Sequence, residues 1–281
     1  RGLGDVYKRQ LFEFVDNFYV QAFELIEGNG YWLRFSENGE TSISGLQIPS
    51  LEIDLDEGWN LITGLSESIS IMDIVDENEI IVPNSIYFYD GGYLPSDELI
   101  PGSGYWLKAF ESGTVTLDGN RRNEKSFSSD DTFGYLNSMD INGIRLYFGS
   151  LQGEHQLGQF DLPPKPPAGG FDVRFLNNSR YTAEGNLINL ISSGNYLSIE
   201  YDIKDCNSNW VLNCLSLNKE FLLEGRGSFS LDGNIESLIL KKAESLATPQ
   251  TFSLNPAFPN PFNPSTTISY DLPISTFVTL R

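Results

Sequence analysis

The sequence predicts an all-β protein built from β-sandwich modules, and three observations lead there. The 281 residues include 26 Gly, 14 Pro, 13 Tyr and 19 Phe but only two Met and one His, a composition that suits short strands joined by turns better than long helices. Strand-like runs alternate with period 2: Leu197, Ile199, Tyr201 and Ile203 fall on one face, and Ser198, Glu200 and Asp202 on the other. One buried and one solvated face per sheet implies an antiparallel sandwich. Finally, LIEGNGYWLRFSENG from Leu25 returns as LIPGSGYWLKAFESG from Leu99, at a constant offset, since 104 − 30 and 105 − 31 both give 74.

Taken in order, the chain opens RGLGDVYKRQ, with no initiator Met, no apolar stretch and no small-residue cleavage site. DVYKRQ is what the codons GAT GTG TAT AAG AGA CAG encode, and that string resembles the end of a transposase adapter used in sequencing libraries. Residues 1–10 are therefore set aside from the fold as a processing scar, and the chain is expected to be an internal fragment of a longer product. Residues 11–45 are a partial first copy of the repeat, lacking its opening strand, and 46–120 are the second copy. Ungapped extension pairs Phe14 with Phe88, Asp16 with Asp90, Tyr19 with Tyr93 and Gly45 with Gly119. The second copy shows its parts as GWNLITGL from Gly58, SISIMDI from Ser68, NSIYFYDGGY from Asn84 and GSGYWLKAFESGTVTL from Gly102. Each is a short run bounded by turn residues. In the last, Tyr105 and Leu107 share one face, Trp106 and Lys108 the other.

From about Phe127 the pattern changes. INGIRLYFGS, GGFDVRFLNN, NLINLISSG and YLSIEYDIKD are strand-like, and 127–245 is expected to be a further β-sandwich. Within it, DLPPKPPAGG at 161–170 is a stiff extended connector, because its prolines fix φ and lack N–H donors. Such a segment can also be a ligand for an aromatic-lined groove; the linker reading is favoured.

Lys and Arg number 18 against 38 Asp and Glu, a net charge of −20. So acidic a surface repels phosphate backbones, which argues against nucleic-acid binding. No run of 18 or more apolar residues occurs, so no transmembrane segment is expected. Cys206 and Cys214 are the only cysteines; a bridge would need the chain to turn between them, and disulfide and free thiols stay open.

Two resemblances concern place and architecture. The repeat resembles GWNLI…PGxGYWLK modules of multidomain bacterial surface proteins, which implies architecture and no reaction. SLATPQTFSLNPAFPNPFNPSTTISYDLP resembles the start of the C-terminal sorting domain of type IX secretion. The match rests on Phe258, Pro259, Asn260, Pro261, Phe262, Asn263, Pro264, Ser265 and Thr266, followed by a strand from Thr267 to Leu272. The prolines keep this segment extended, and Asn260 and Asn263 can cap it locally. A bland interdomain linker ahead of an immunoglobulin-like domain is the alternative. LYFG and LPPKPPAGGFDVRF make the middle segment similar to the β-domain that often precedes this signal. The resemblance implies tandem immunoglobulin-like sandwiches, a truncated sorting domain at 249–281, secretion machinery as partner, and a secreted or outer-membrane surface location in a Gram-negative bacterium.

No catalytic residue is expected. His155 sits in a polar loop-like stretch, and no HExxH, GxSxG, P-loop or dinucleotide fingerprint occurs. Two Cys and one His are too few for a zinc site, and no cofactor is expected. Oxygen ligands for calcium are offered by Asp54, Asp56 and Glu57, with a second acidic turn at Asp76; solvated acidic turns are the plainer reading. Trp32 and Trp106 are candidate glycan-stacking platforms, with core packing as the favoured role. A surface polysaccharide or extracellular glycan is thus a possible partner. Two functions compete: non-catalytic structural or adhesive modules, or accessory modules of a secreted hydrolase whose catalytic domain lies upstream.

Overall fold

The computed structural model of the protein describes residues 9–35, 45–121, 133–152, 157–191, 194–205, 209–243, 251–254, 256, 270–274, 276 and 278–279. It is all-β, as the composition and alternation predict, and the strands gather into packed sheets.

The first sheet contains β1 (Arg9–Val15), β2 (Phe18–Gln21) and β3 (Trp32–Phe35) in the order β2-β1-β3. Arg9 and Gln10 pair with Phe35 and Arg34, so the fold uses two of the ten residues that sequence reading set aside. A ladder needs only backbone, whatever the origin of the side chains.

The next stretch supplies β4 (Ser50–Leu55), β5 (Gly58–Thr63), β6 (Ile69–Ser70), β7 (Ile74–Val75), β8 (Tyr87–Tyr89), β9 (Tyr93–Pro95), β10 (Glu98–Leu99), β11 (Gly104–Ala109) and β12 (Gly113–Asp118). One sheet runs β5-β11-β8-β9 and another β4-β12-β7. Their facing sides enclose Ile53, Leu55, Ile62, Leu99, Tyr105, Leu107, Val115 and Leu117. Tyr105 and Leu107 point into this core and Trp106 away from it, into a second cluster. Both faces of β11 are therefore covered.

Local geometry recurs at a spacing of 74. The Ile26 N–H donates to Tyr31 Oη at 2.8 Å and the Ile100 N–H to Tyr105 Oη at 2.7 Å. Gly28 and Gly102 both hold positive φ, 88° and 77°. At the hairpins the two stretches differ by one residue. Asp16 and Asn17, both at positive φ, make a two-residue loop between Val15 and Phe18, as a type I′ turn requires. The later loop spans Asp90 to Gly92, between Tyr89 and Tyr93. Strand pairing therefore matches Phe14 with Tyr89 and Phe12 with Tyr87, an offset of 75. The ungapped matches of Phe14 with Phe88 and Asp16 with Asp90 are corrected accordingly. The first stretch also reaches the second through backbone: Gly30 N–H donates to Leu61 O at 2.9 Å and Thr63 N–H to Gly28 O at 3.0 Å. A Cβ on Gly30 would lie 2.4 Å from Ile62 O, so this approach requires glycine.

The remaining module is a two-sheet sandwich. It uses β13 (Asn137–Ile141), β14 (Ile144–Phe148), β15 (Asp172–Phe175), β16 (Tyr181–Thr182), β17 (Gly185–Ile191), β18 (Tyr196–Asp202), β19 (Trp210–Cys214), β20 (Lys219–Leu223), β21 (Arg226–Asp232) and β22 (Ser237–Lys242). The sheets are β16-β14-β13-β18-β21 and β15-β17-β22-β19-β20. All pairs are antiparallel except β14 with β16. Leu197 and Ile199 of β18 are fully buried in the shared core with Phe148, Phe175, Trp210 and Leu240. INGIRLYFGS, expected as one strand-like run, is the end of β13, an Asn142-Gly143 turn with both φ positive, and β14. Cys214 is a buried free thiol; Cys206 lies outside the described residues. Near the C-terminus β23 (Ser253–Leu254) pairs with β24 (Tyr270–Asp271), so the strand at Tyr270 finds its partner ahead of the Asn-Pro run.

Candidate functional site: an aromatic seam under a proline strap

Period-2 alternation sends one side of β1, β3, β5, β8 and β11 into a common seam. Tyr87, Tyr93, Trp106 and Leu162 are buried there, packed by Phe14, Tyr19, Trp32, Trp59, Leu61 and Tyr89. Two edge-to-face contacts bridge the seam: Phe14 meets Trp106 with centroids 4.8 Å apart, and Tyr89 meets Trp32 at 4.7 Å. Phe14 corresponds to Tyr89 by strand pairing, and Trp32 to Trp106 by the offset of 74. The two contacts are therefore reciprocal, as across a two-fold axis. Rings in this arrangement set the positive edge of one against the negative face of the other, worth about 0.5–1.5 kcal/mol per pair beyond burial.

The proline-rich stretch lies along this seam. Prolines bring no N–H donors of their own, so most carbonyls of this extended stretch turn to donors elsewhere in the chain. Tyr93 Oη donates to Pro164 O at 2.6 Å and Tyr19 Oη to Lys165 O at 2.9 Å. These tyrosines stand 74 residues apart, one from each stretch, and they take successive carbonyls. Tyr89 Oη donates to Phe171 O at 3.1 Å. Leu162, Pro163 and Pro166 are buried, and Lys108 pairs with Asp161. Glycine is required at 170, where a Cβ would lie 2.8 Å from Pro166 Cβ and 2.9 Å from Tyr89 Oη. The favoured linker reading is thus corrected: the segment is the ligand of an aromatic groove supplied by its own chain.

Beneath the strap Asp172 and Arg174, two apart on β15, form a buried pair. Arg174 Nε and Nη2 donate to the carboxylate at 2.5 and 2.8 Å, and Nη1 donates to Pro163 O at 2.8 Å. Arg180 is different. It is 6% exposed, its Nε has no partner, and its guanidinium sits 5.5–6.0 Å from the rings of Tyr87, Phe133, Tyr147 and Phe160. Those π faces supply the negative potential that a carboxylate otherwise provides. Arg180 also borders a cavity of about 670 Å³ lined by Ile71, Ile74, Ile86 and Phe88.

Burial sets the titration of the seam. It pushes the Tyr19 phenol up to about 12, and it raises Tyr93, Tyr87 and Tyr89 as well. For Tyr93 the neighbouring Tyr19 phenol adds to the rise. A phenol whose folded pKa lies above its unfolded value near 10 stabilises the fold fully below pH 10, and that contribution is lost as pH rises through the folded value. The expected outcome is a fall in denaturation midpoint from pH 10 toward 12, smaller in Tyr19→Phe. Absorbance at about 295 nm should show seam tyrosines ionising together with unfolding.

The residues singled out by sequence fall as follows. Trp106 is 1% exposed, wedged against Phe14 and Trp59, and has no free face for a sugar ring. Trp32 is partly buried between Tyr19 and Tyr89. Asp54 accepts from Thr114 Oγ1 at 2.7 Å. The turn at Asp56 and Glu57 is held by Asn60 and Ser112, which accept from the two backbone N–H groups. Asp76 spends both carboxylate oxygens on the Ile80 and Ile81 N–H groups. Among the described residues no group of three or more His, Cys, Asp or Glu is placed to hold a metal, and no helix is long and apolar enough to cross a membrane. His155 and the sorting motif Pro259, Asn260, Pro261, Phe262, Asn263, Pro264, Ser265 and Thr266 lie outside the described residues. Sequence reading missed the Asp172–Arg174 pair, the aromatic box of Arg180 and the phenol donors. The Asp-x-Arg spacing on a strand was the only available hint. No protein-family model, curated protein or solved structure matches the chain.

Proposed function

We propose that the protein is an exported cell-surface protein whose duplicated β-modules act as a stiff structural or adhesive unit without catalysis, addressed by a type IX sorting signal beginning near Pro249. The observation that carries the structural half is the strap. Tyr19, Tyr93 and Arg174 donate to Lys165, Pro164 and Pro163, so segments from three parts of the chain are tied to one extended backbone. Contacts that recur at a spacing of 74, such as Tyr31 on Ile26 and Tyr105 on Ile100, support the duplicated-module reading. The address rests on PNPFNPSTTISYDLP, and an acidic surface suits an extracellular cargo.

The test of the address is a fusion. The coding sequence from Pro249 to its stop codon is placed behind a periplasmically exported reporter, in a bacterium with a working type IX system. The reporter should reach the cell surface or medium, and do so less when Pro261–Pro264 is replaced by Gly-Ser. A reporter retained in the periplasm with its C-terminal domain folded would show the Asn-Pro run to be a linker.

A further inference from the structure

We propose that Arg180 anchors a small-molecule ligand, a monocarboxylate with an apolar body, in two cavities that meet at its side chain. Arg145, Arg174 and Arg226 each pair with an aspartate, respectively Asp140, Asp172 and Asp202. Arg180 is 6% exposed, yet among the described residues no carboxylate pairs with it. Its backbone holds it in place, since its N–H donates to Phe160 O at 2.9 Å and its O accepts from the Tyr147 N–H at 2.7 Å. The four surrounding rings meet the charge but offer the buried Nε–H no oxygen. A buried guanidinium with a donor to spare is costly until an acceptor arrives.

Beside it stands a second such donor. Tyr87 is 0% exposed, its Oη has no hydrogen-bond partner, and its ring centre is 5.5 Å from the Arg180 guanidinium carbon. Burial raises its phenol pKa, so it stays protonated and able to donate. Both residues line a cavity of about 330 Å³ that is also walled by Leu94 and Pro95 of β9 and by Ile144 and Tyr147 of β14. Two donors on one small cavity, neither with an acceptor, suit an oxyanion, and a guanidinium matches the planar geometry of a carboxylate.

The rest of the ligand follows from the second space. Leu94, Pro95, Tyr147 and Arg180 also line the cavity of about 670 Å³ whose other walls include Ile71, Ile74, Ile86 and Phe88. An apolar lining with a few polar groups, in a volume of about 300–1,000 Å³, is the composition of sites that bury small molecules. The carboxylates nearby limit the ligand to one charge. Asp140 is engaged by Arg145 and Asp76 by two backbone N–H groups, while Glu200 is exposed on the smaller cavity and Asp97 borders the larger. One negative charge meets Arg180; a second would face these carboxylates, in a chain of net charge −20. A monocarboxylate is therefore favoured over a phosphate monoester.

The test titrates the full chain with octanoate, hexanoate and 1-octanol by calorimetry. Saturable one-to-one binding of octanoate is expected, about tenfold or more tighter than octanol, because the acid alone gains a charge-assisted hydrogen bond. Hexanoate should bind about tenfold more weakly than octanoate for want of two buried CH₂ groups. Arg180→Met should remove the preference for the acid over the alcohol. Tyr87→Phe deletes a hydroxyl that has no partner, so it should melt as the parent does and bind octanoate about fivefold more weakly; it decides the question where Arg180→Met does not fold. Four results would overturn the proposal: no saturation, equal affinity for octanoate and octanol, octanoate affinity unchanged in Tyr87→Phe or in a folded Arg180→Met, or a gain in octanoate affinity when Asp130 and Asp131, just ahead of Phe133 in the sequence, are both changed to Asn. The last would make the chain's own carboxylates the occupant.

Discussion

Arg174→Met should lower the free energy of unfolding by about 3–5 kcal/mol, because it leaves a buried carboxylate without its counter-ion. Arg174 and Asp172 are 1% and 2% exposed, and the same substitution strips Pro163 O of its donor. Replacing both charges, as in Asp172→Leu with Arg174→Met, should cost less than the single change, since no ion is then stranded. Denaturant titration of the three proteins decides it. A single variant within about 1 kcal/mol of the parent would mean that water or a rearranged strap reaches Asp172.

Trp106→Ala should cost a similar amount, about 3–5 kcal/mol for a large aromatic removed from a closed core. It should also act unevenly. Trp106 meets Phe14 across the seam and Trp59 beside it, so its loss removes one of the two reciprocal contacts holding β1–β3. Amide exchange should quicken in β1 and β3 while β17 and β22 keep their protection. Uniform loosening of every strand would instead make the molecule one cooperative unit.

What was legible in the sequence depended on whether a face meets water. The alternation from Leu197 to Ile203 is plain because Ser198 and Glu200 lie outside the core, whereas all four residues of Asp172–Phe175 are buried, so polarity there no longer reports direction. Lys108 made β11 look half-wet. In the structure it lies over Trp59 and pairs with Asp161, a case of a long stem covering apolar surface. Proline content foretold an extended strap but not its partners, because the donors Tyr93 and Tyr19 lie 71 and 146 residues away from the carbonyls they bind. The hairpin register escaped notice for a smaller reason: both loops carry turn residues, and only the pairing shows that Asp16-Asn17 closes with one residue fewer than Asp90-Gly91-Gly92.

The reciprocal seam is also self-limiting. A contact that maps onto itself under a half-turn is saturated by two participants, unlike a head-to-tail contact, which always leaves a free end for the next unit. The strap lies where equivalent tyrosines from the two stretches converge, and Pro164 and Lys165 occupy both phenols at once. One strap therefore serves one pair, and a third copy would find neither an aromatic partner nor a place on the proline backbone. The four rings and the strap thus satisfy one another within this one pair and leave the interface closed.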